Sequence, residues 1–358
     1  MIMLSGREGE ALELELLEKA RRVGILMKME QFDWGIVPAW DDFAQMPRRE
    51  LKARVKQLRP IIRQFCRLFF PGATPESLAW LYDQVLQNSG SYSLPRLEFE
   101  EKVGGLSRRV ARDTPLHAAV MVSATFGLQF QFPEDHMCKD WAVAYNRFLE
   151  FDEVWSRLRD ARLRDVTVRE HLEIIGAVSR VRDFYARATI LTGFNLVETF
   201  INGLAWECVH TKGSHLKPKQ CDELSERTGF VSIGKKLVRY PRIIKGSQGG
   251  ILHDSRDPLR TFLRDVKPLR DAIVHLSPFA KPTGYDKVQQ FYGLETDRVS
   301  LAVDTCYEIV TTIWKFVKGR KSPPAWLIGR LNDGRFDISL VSIQSSLDDV
   351  VEKIIGNR

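Results

Sequence analysis

Arginine, aspartate and histidine stand together in Arg270-Asp271-Ala272-Ile273-Val274-His275, and their spacing says more than their identities. An α-helix turns about 100° per residue. On such a helix Leu259, Phe262, Val266, Leu269, Ile273 and Leu276 gather on one apolar face, whereas Asp271 and His275 lie four apart on nearly the opposite side, with Arg270 at the margin. A histidine placed there is not a core residue; it faces solvent or a second surface. Imidazole is the side chain best suited to proton transfer near neutral pH. A guanidinium offers permanently charged, planar donors for an oxyanion or a phosphate. Arg264 and Pro268 share the polar side, and Pro268 is expected to kink the helix and release the carbonyl of Arg264.

The elements needed to position these groups follow from periodicity and punctuation. A long helix upstream carries Ile190, Leu191, Phe194, Val197, Ile201, Leu204 and Cys208 as an apolar stripe, with Asn195, Glu198 and Asn202 beside it. The Glu198 carboxylate, bordering that stripe, wants a partner, the alternative being that it reaches solvent. The spacing predicts helices near 168–180, 181–210, 257–276 and 295–317. Residues 1–165 read as helices with loops: 12–29, 51–70, one opened by Thr74-Pro75-Glu76, and others opened by Pro115 and Pro133, the last bearing Trp141, Tyr145, Phe148, Phe151 and Trp155 near one face. The arginine-rich stretch 157–169 is read as a solvated connector. After Pro323-Pro324, two short apolar runs flank Asn332-Asp333-Gly334 and predict a β-hairpin, followed by a helix at 347–355. The expected architecture is therefore all-α, with a helical N-terminal domain over 1–165, a helical bundle over 166–320 and a small hairpin and helix tail over 321–358.

An Arg-x4-His motif with a polar residue directly after the arginine, near the end of the third major helix of an all-α bundle, resembles the HEPN superfamily. The resemblance spans roughly residues 167–320. It implies a metal-independent endoribonuclease, of the kind found in toxin–antitoxin and anti-phage systems, working as a homodimer that brings two motifs together. Arg270, His275 and Asp271 would then be catalytic, with His275 as base, Arg270 stabilising the charged phosphorane and Asp271 orienting His275. Glu198, Asn202 and Asn195 would support them, Glu198 by holding Arg270. RNA would be the substrate, and an antitoxin or regulatory protein a possible partner, with no cofactor and no metal. A non-catalytic HEPN-like dimeric interaction or nucleotide-binding module is the alternative. A purely structural helical adaptor is the third reading.

Arg112-Asp113-Thr114-Pro115-Leu116-His117 repeats the spacing, but a helix opened at Pro115 would leave Arg112 outside it. Lys235, Lys236, Arg239, Tyr240 and Arg242 lie in one basic stretch that could track phosphates and stack a base, or simply form an amphipathic helix with a solvated basic face. Cys208, His210, His215 and Cys221 lack the paired short spacings of common zinc modules. With 358 residues, 53 Lys+Arg and 46 Asp+Glu, the net charge of +7 permits a polyanionic partner without requiring one. The five scattered cysteines fit a reducing compartment, and the acidic start lacks a secretory signal's apolar core, so a cytoplasmic protein with no membrane partner is expected.

Overall fold

The computed structural model describes residues 71–106, 112–123, 127–160, 167–247, 249–275 and 290–340, with a few isolated positions before 71. The expected helices at 12–29, 51–70 and 347–355 lie wholly or almost wholly outside the described residues. The chain is mostly helical and also contains a small three-stranded sheet. It divides into two compact units at Phe132/Pro133.

In the first unit, α1 (Pro75–Gln87) starts where Thr74 and Ser77 cap one another reciprocally, with proline in the first turn. After β1 (Ser91–Pro95) and α2 (Arg96–Val103), the strands β2 (Ala119–Ser123) and β3 (Gly127–Gln131) complete an antiparallel sheet in the order β1-β2-β3. Strands stand here where a helix was expected. Pro115 opens no helix, because Val120 and Val122 point into a core with Leu81, Val85, Leu94, Phe99 and Val103 while their neighbours Ala119 and Met121 are only half-buried. That alternation is the two-residue period of a strand.

The second unit begins with α3 (Pro133–Asp160), opened by Pro133 as expected, and α4 (Val168–Lys212), which pack against one another as a helical hairpin. The domain boundary falls before α3 rather than at 165, because Trp141, Tyr145 and Phe148 belong to the same core as the α4 stripe. The helices expected at 168–180 and 181–210 are one helix of 45 residues, capped by the reciprocal Thr167/Glu170 pair. The hairpin is completed by α5 (Pro218–Leu224), α6 (Ile233–Lys245), a segment running through α7 (Leu259–Thr261), a π turn (Phe262–Val266) and α8 (Lys267–Val274), and α9 (Thr296–Lys318).

The C-terminal stretch up to 340 is no separate tail. Phe336 is buried against Trp141 and Tyr145, and its amide and carbonyl are both held by the Asn146 side chain, at 2.9 and 3.0 Å. Asn332-Asp333-Gly334 does form the turn, with Gly334 at φ 84°, but a single antiparallel bridge between Arg330 and Phe336 stands where a hairpin was expected. No helix among the described residues is long and apolar enough to cross a membrane.

Candidate functional site

The segment 259–274 is where the chain departs from regular helix. Pro268 has no amide hydrogen, so it cannot donate to the carbonyl four residues back. Upstream of it the helix widens into the π turn, in which the Lys267 amide donates to the carbonyl of Phe262, five residues earlier. Leu259, Phe262, Val266 and Leu269 remain buried throughout.

At the end of this segment Arg270 stands over the Phe194 ring of α4, with its guanidinium carbon 4.7 Å from the ring centroid. Phe194 in turn stacks on Phe262, with centroids 5.2 Å apart and planes 12° from parallel. The π turn and the arginine therefore share one aromatic support. Such a cation–π contact orients a guanidinium without consuming its hydrogen bonds. One of those bonds goes to Asp271, from Nη1 to Oδ1 at 3.0 Å. The Nε of Arg270 is buried and has no hydrogen-bond partner among the described residues.

Asp271 accepts from Lys267 through its other oxygen. Burial pushes the Asp271 carboxyl upward, but the hydrogen bonds and charges of Lys267 and Arg270 outweigh it and leave the group below the ordinary carboxylate range. With Oδ1 and Oδ2 both engaged, Asp271 does not hold the His275 ring, contrary to the expected orienting role. It meets His275 only through the backbone, where the His275 amide donates to its carbonyl at 2.9 Å and ends the helix. The His275 side chain is exposed, and among the described residues its ring has no hydrogen bond or ion pair.

The supporting residues separate. Glu198 is half-buried and is not paired with Arg270, whose place it was expected to secure; the Phe194 ring one turn away does so instead. Asn195 is exposed, and the Asn202 side-chain oxygen accepts from Lys236 at 3.0 Å. Phe194 and Lys267 are thus the neighbours that sequence reasoning did not single out. Lys267 was findable, since it stands one helical turn before Asp271. Phe194 was not, because an aromatic in an apolar stripe reads as core.

The basic stretch is the amphipathic helix α6, and its residues divide. Lys236 is 3% exposed and paired with Glu226 and Asn202. Tyr240 is fully buried and donates to the Glu223 carbonyl at 2.9 Å, with burial holding its phenol well above the usual range. Neither can meet a nucleic acid, which corrects their assignment. Arg239 is exposed but bound to Glu223 at 2.7 Å, Arg242 packs against the Gly250 backbone, and Lys235 is exposed. Lys235 and Arg239 line an open cavity of about 490 Å³ with Phe230 and Asp222.

At the other two constellations, Arg112 is exposed in a turn and His117 precedes β2 rather than lying on a helix. Cys208 is buried and the His210 ring stacks on Trp206 at 5.0 Å. Among the described residues no three His, Cys, Asp or Glu side chains converge in a way that could hold a metal ion. No family model matches the chain, and neither a curated protein nor a solved structure matches it.

Proposed function

We propose that the chain is a metal-independent endoribonuclease of the HEPN type, acting on RNA as a homodimer and suited to a role as a toxin or anti-phage effector. The observation that carries this reading is the pairing of an oriented, incompletely bonded guanidinium on Phe194 with an exposed, unengaged imidazole at the end of the same helix. Neutral His275 takes the proton from a 2′-hydroxyl. The 2′-oxygen then bonds to the adjacent phosphorus and the bond to the 5′-oxygen breaks, leaving a 2′,3′-cyclic phosphate and, after protonation, a 5′-hydroxyl. Arg270 donates to the phosphorane oxygens, where charge develops. Asp271 and Lys267 act as positioning residues that fix the arginine's rotamer.

One motif supplies a single base and a single cation, so a second copy would furnish the acid for the leaving oxygen and exclude water. The test is cleavage of labelled tRNA and mRNA in EDTA by the full chain. Wild type should give cyclic phosphate ends, while His275→Ala and Arg270→Ala should each lose activity by a factor of at least about 100 without loss of helicity. Undiminished cleavage by His275→Ala, or a requirement for added metal with 3′-hydroxyl products, would refute the mechanism.

A further inference from the structure

The outer face of α4 carries an apolar seam that is exposed or half-buried and has no covering element among the described residues of the second unit. Ile174, Ala177, Val181, Phe184, Ala188 and Leu191 follow one another at alternating spacings of three and four, the repeat by which one helix packs along another. Phe184 is 58% exposed, Ile174 39% and Val181 38%, whereas Arg182, Ala186 and Ile190 on the opposite face are buried. Exposed large apolar residues scattered singly are ordinary; three in heptad register on one helix, continued by two alanines and the half-buried Leu191, are not.

We infer that this seam pairs with the same seam of a second copy, antiparallel, about a two-fold axis between Val181 and Phe184. The sequence of sizes supports it. Read in either direction the seam runs large, small, large, large, small, large, so antiparallel pairing sets Ile174 against Leu191, Ala177 against Ala188 and Val181 against Phe184, with both Ala–Ala layers allowing close approach. The ends match too, since Glu170 would meet Asn195 of the other copy. The direction follows from what lies beyond Asn195. The same repeat continues to Asn202, which is already engaged by Lys236 of α6. A parallel pair would bring two α6 helices to one level, whereas an antiparallel pair places each beyond the start of the other copy's α4.

The seam spans about 26 Å of helix, a single-helix contact, so the dimer should be reversible. Arg180 and Arg187 flank one side, with Arg187 held over Phe291 at 4.8 Å, so added salt should strengthen association by screening them. Phe194, beneath Arg270, falls about 17 Å along the helix from this axis. The contact therefore does not join two motifs and does not rest on the nuclease reading.

The experiment uses the full chain in sedimentation and cross-linking. Wild type should associate reversibly, and Phe184→Glu should weaken that association at least 100-fold with unchanged circular dichroism. A mixture of Ala177→Cys and Ala188→Cys proteins should form a disulfide-linked dimer under mild oxidation, and Ala177→Cys alone should not. His275→Ala should associate as wild type does, whatever its activity. Sedimentation unchanged by Phe184→Glu, or efficient cross-linking of Ala177→Cys with itself, overturns the inference.

Discussion

Gly193 sits where α4 crosses α3, and replacing it with alanine sets two known effects against each other. A Cβ at this position would lie 2.7 Å from Trp141 Nε1, 3.0 Å from Cε2 and 3.3 Å from Cδ1. The indole cannot retreat, being fully buried with Phe336 packed on it at 4.8 Å. Forcing a methyl into such a core costs about 1–3 kcal/mol, while replacing a helical glycine by alanine returns about 1 kcal/mol. The net expectation is a loss of up to about 2 kcal/mol, and a unit of this size loses roughly 2–4 °C in Tm for each kcal/mol. Gly176→Ala in the same helix is the control, because its Cβ meets only the flexible end of Arg180 at 3.7 Å. That variant should gain up to about 1 kcal/mol from propensity alone. Thermal melts followed by far-UV circular dichroism would read both. Gly193 also precedes the residue that supports Arg270, so its replacement should lower the proposed nuclease activity below the unfolding temperature. Equal Tm shifts for the two variants would refute the packing argument.

Lys236→Ala should destabilise by about 1–3 kcal/mol, because it leaves Asn202 and Glu226 without their buried cation; Lys235→Ala, at an exposed site, should melt as wild type and affect only the proposed RNA binding, as a salt-dependent binding assay would show. Burial pushes the Cys138 thiol up to about 12 and raises Cys208 and Cys306 as well, so thiol titration of native protein should spare these three and modify them together on unfolding. The depressed carboxyl of Asp271 contributes stability that is present above its unfolded-state value and lost as pH falls through the lower folded value, and Asp271→Asn should flatten acid melts in that window. A pH dependence identical to wild type would mean the Lys267 and Arg270 contacts do not hold in solution.

Punctuation and periodicity carried much of the second unit. Pro133 does open a helix, the stripe from Ile190 to Cys208 is packed inward apart from the half-buried Leu191, and Asp271 and His275 lie off the core face of their helix. The strands were missed because 118–130 is apolar nearly throughout, and only the burial of Val120 and Val122 reveals its period of two. The break expected near Arg180 had no proline behind it, and the helix runs through. Tyr240 was legible in principle: it falls in register with Ile233, Leu237 and Ile244, all of them buried. Lys236 was not, since its burial depends on Glu226 and Asn202, residues that only the tertiary fold brings to it. For the same reason the seat of Arg270 on Phe194 could not be read from either helix alone.

The π turn at Phe262–Val266 holds one residue more than an α-helical turn would. In terms of chain length, it is a stored insertion. Deleting one residue within it could let the segment relax to ordinary α-helix while Arg270 and Asp271 kept their facing toward Phe194. Deleting one between Lys267 and Arg270 would instead rotate the guanidinium about 100° away from its aromatic support. The helix that carries the candidate site thus has one place where its length can change and a neighbouring stretch where it cannot. Single-residue length variation among functional variants should be confined accordingly.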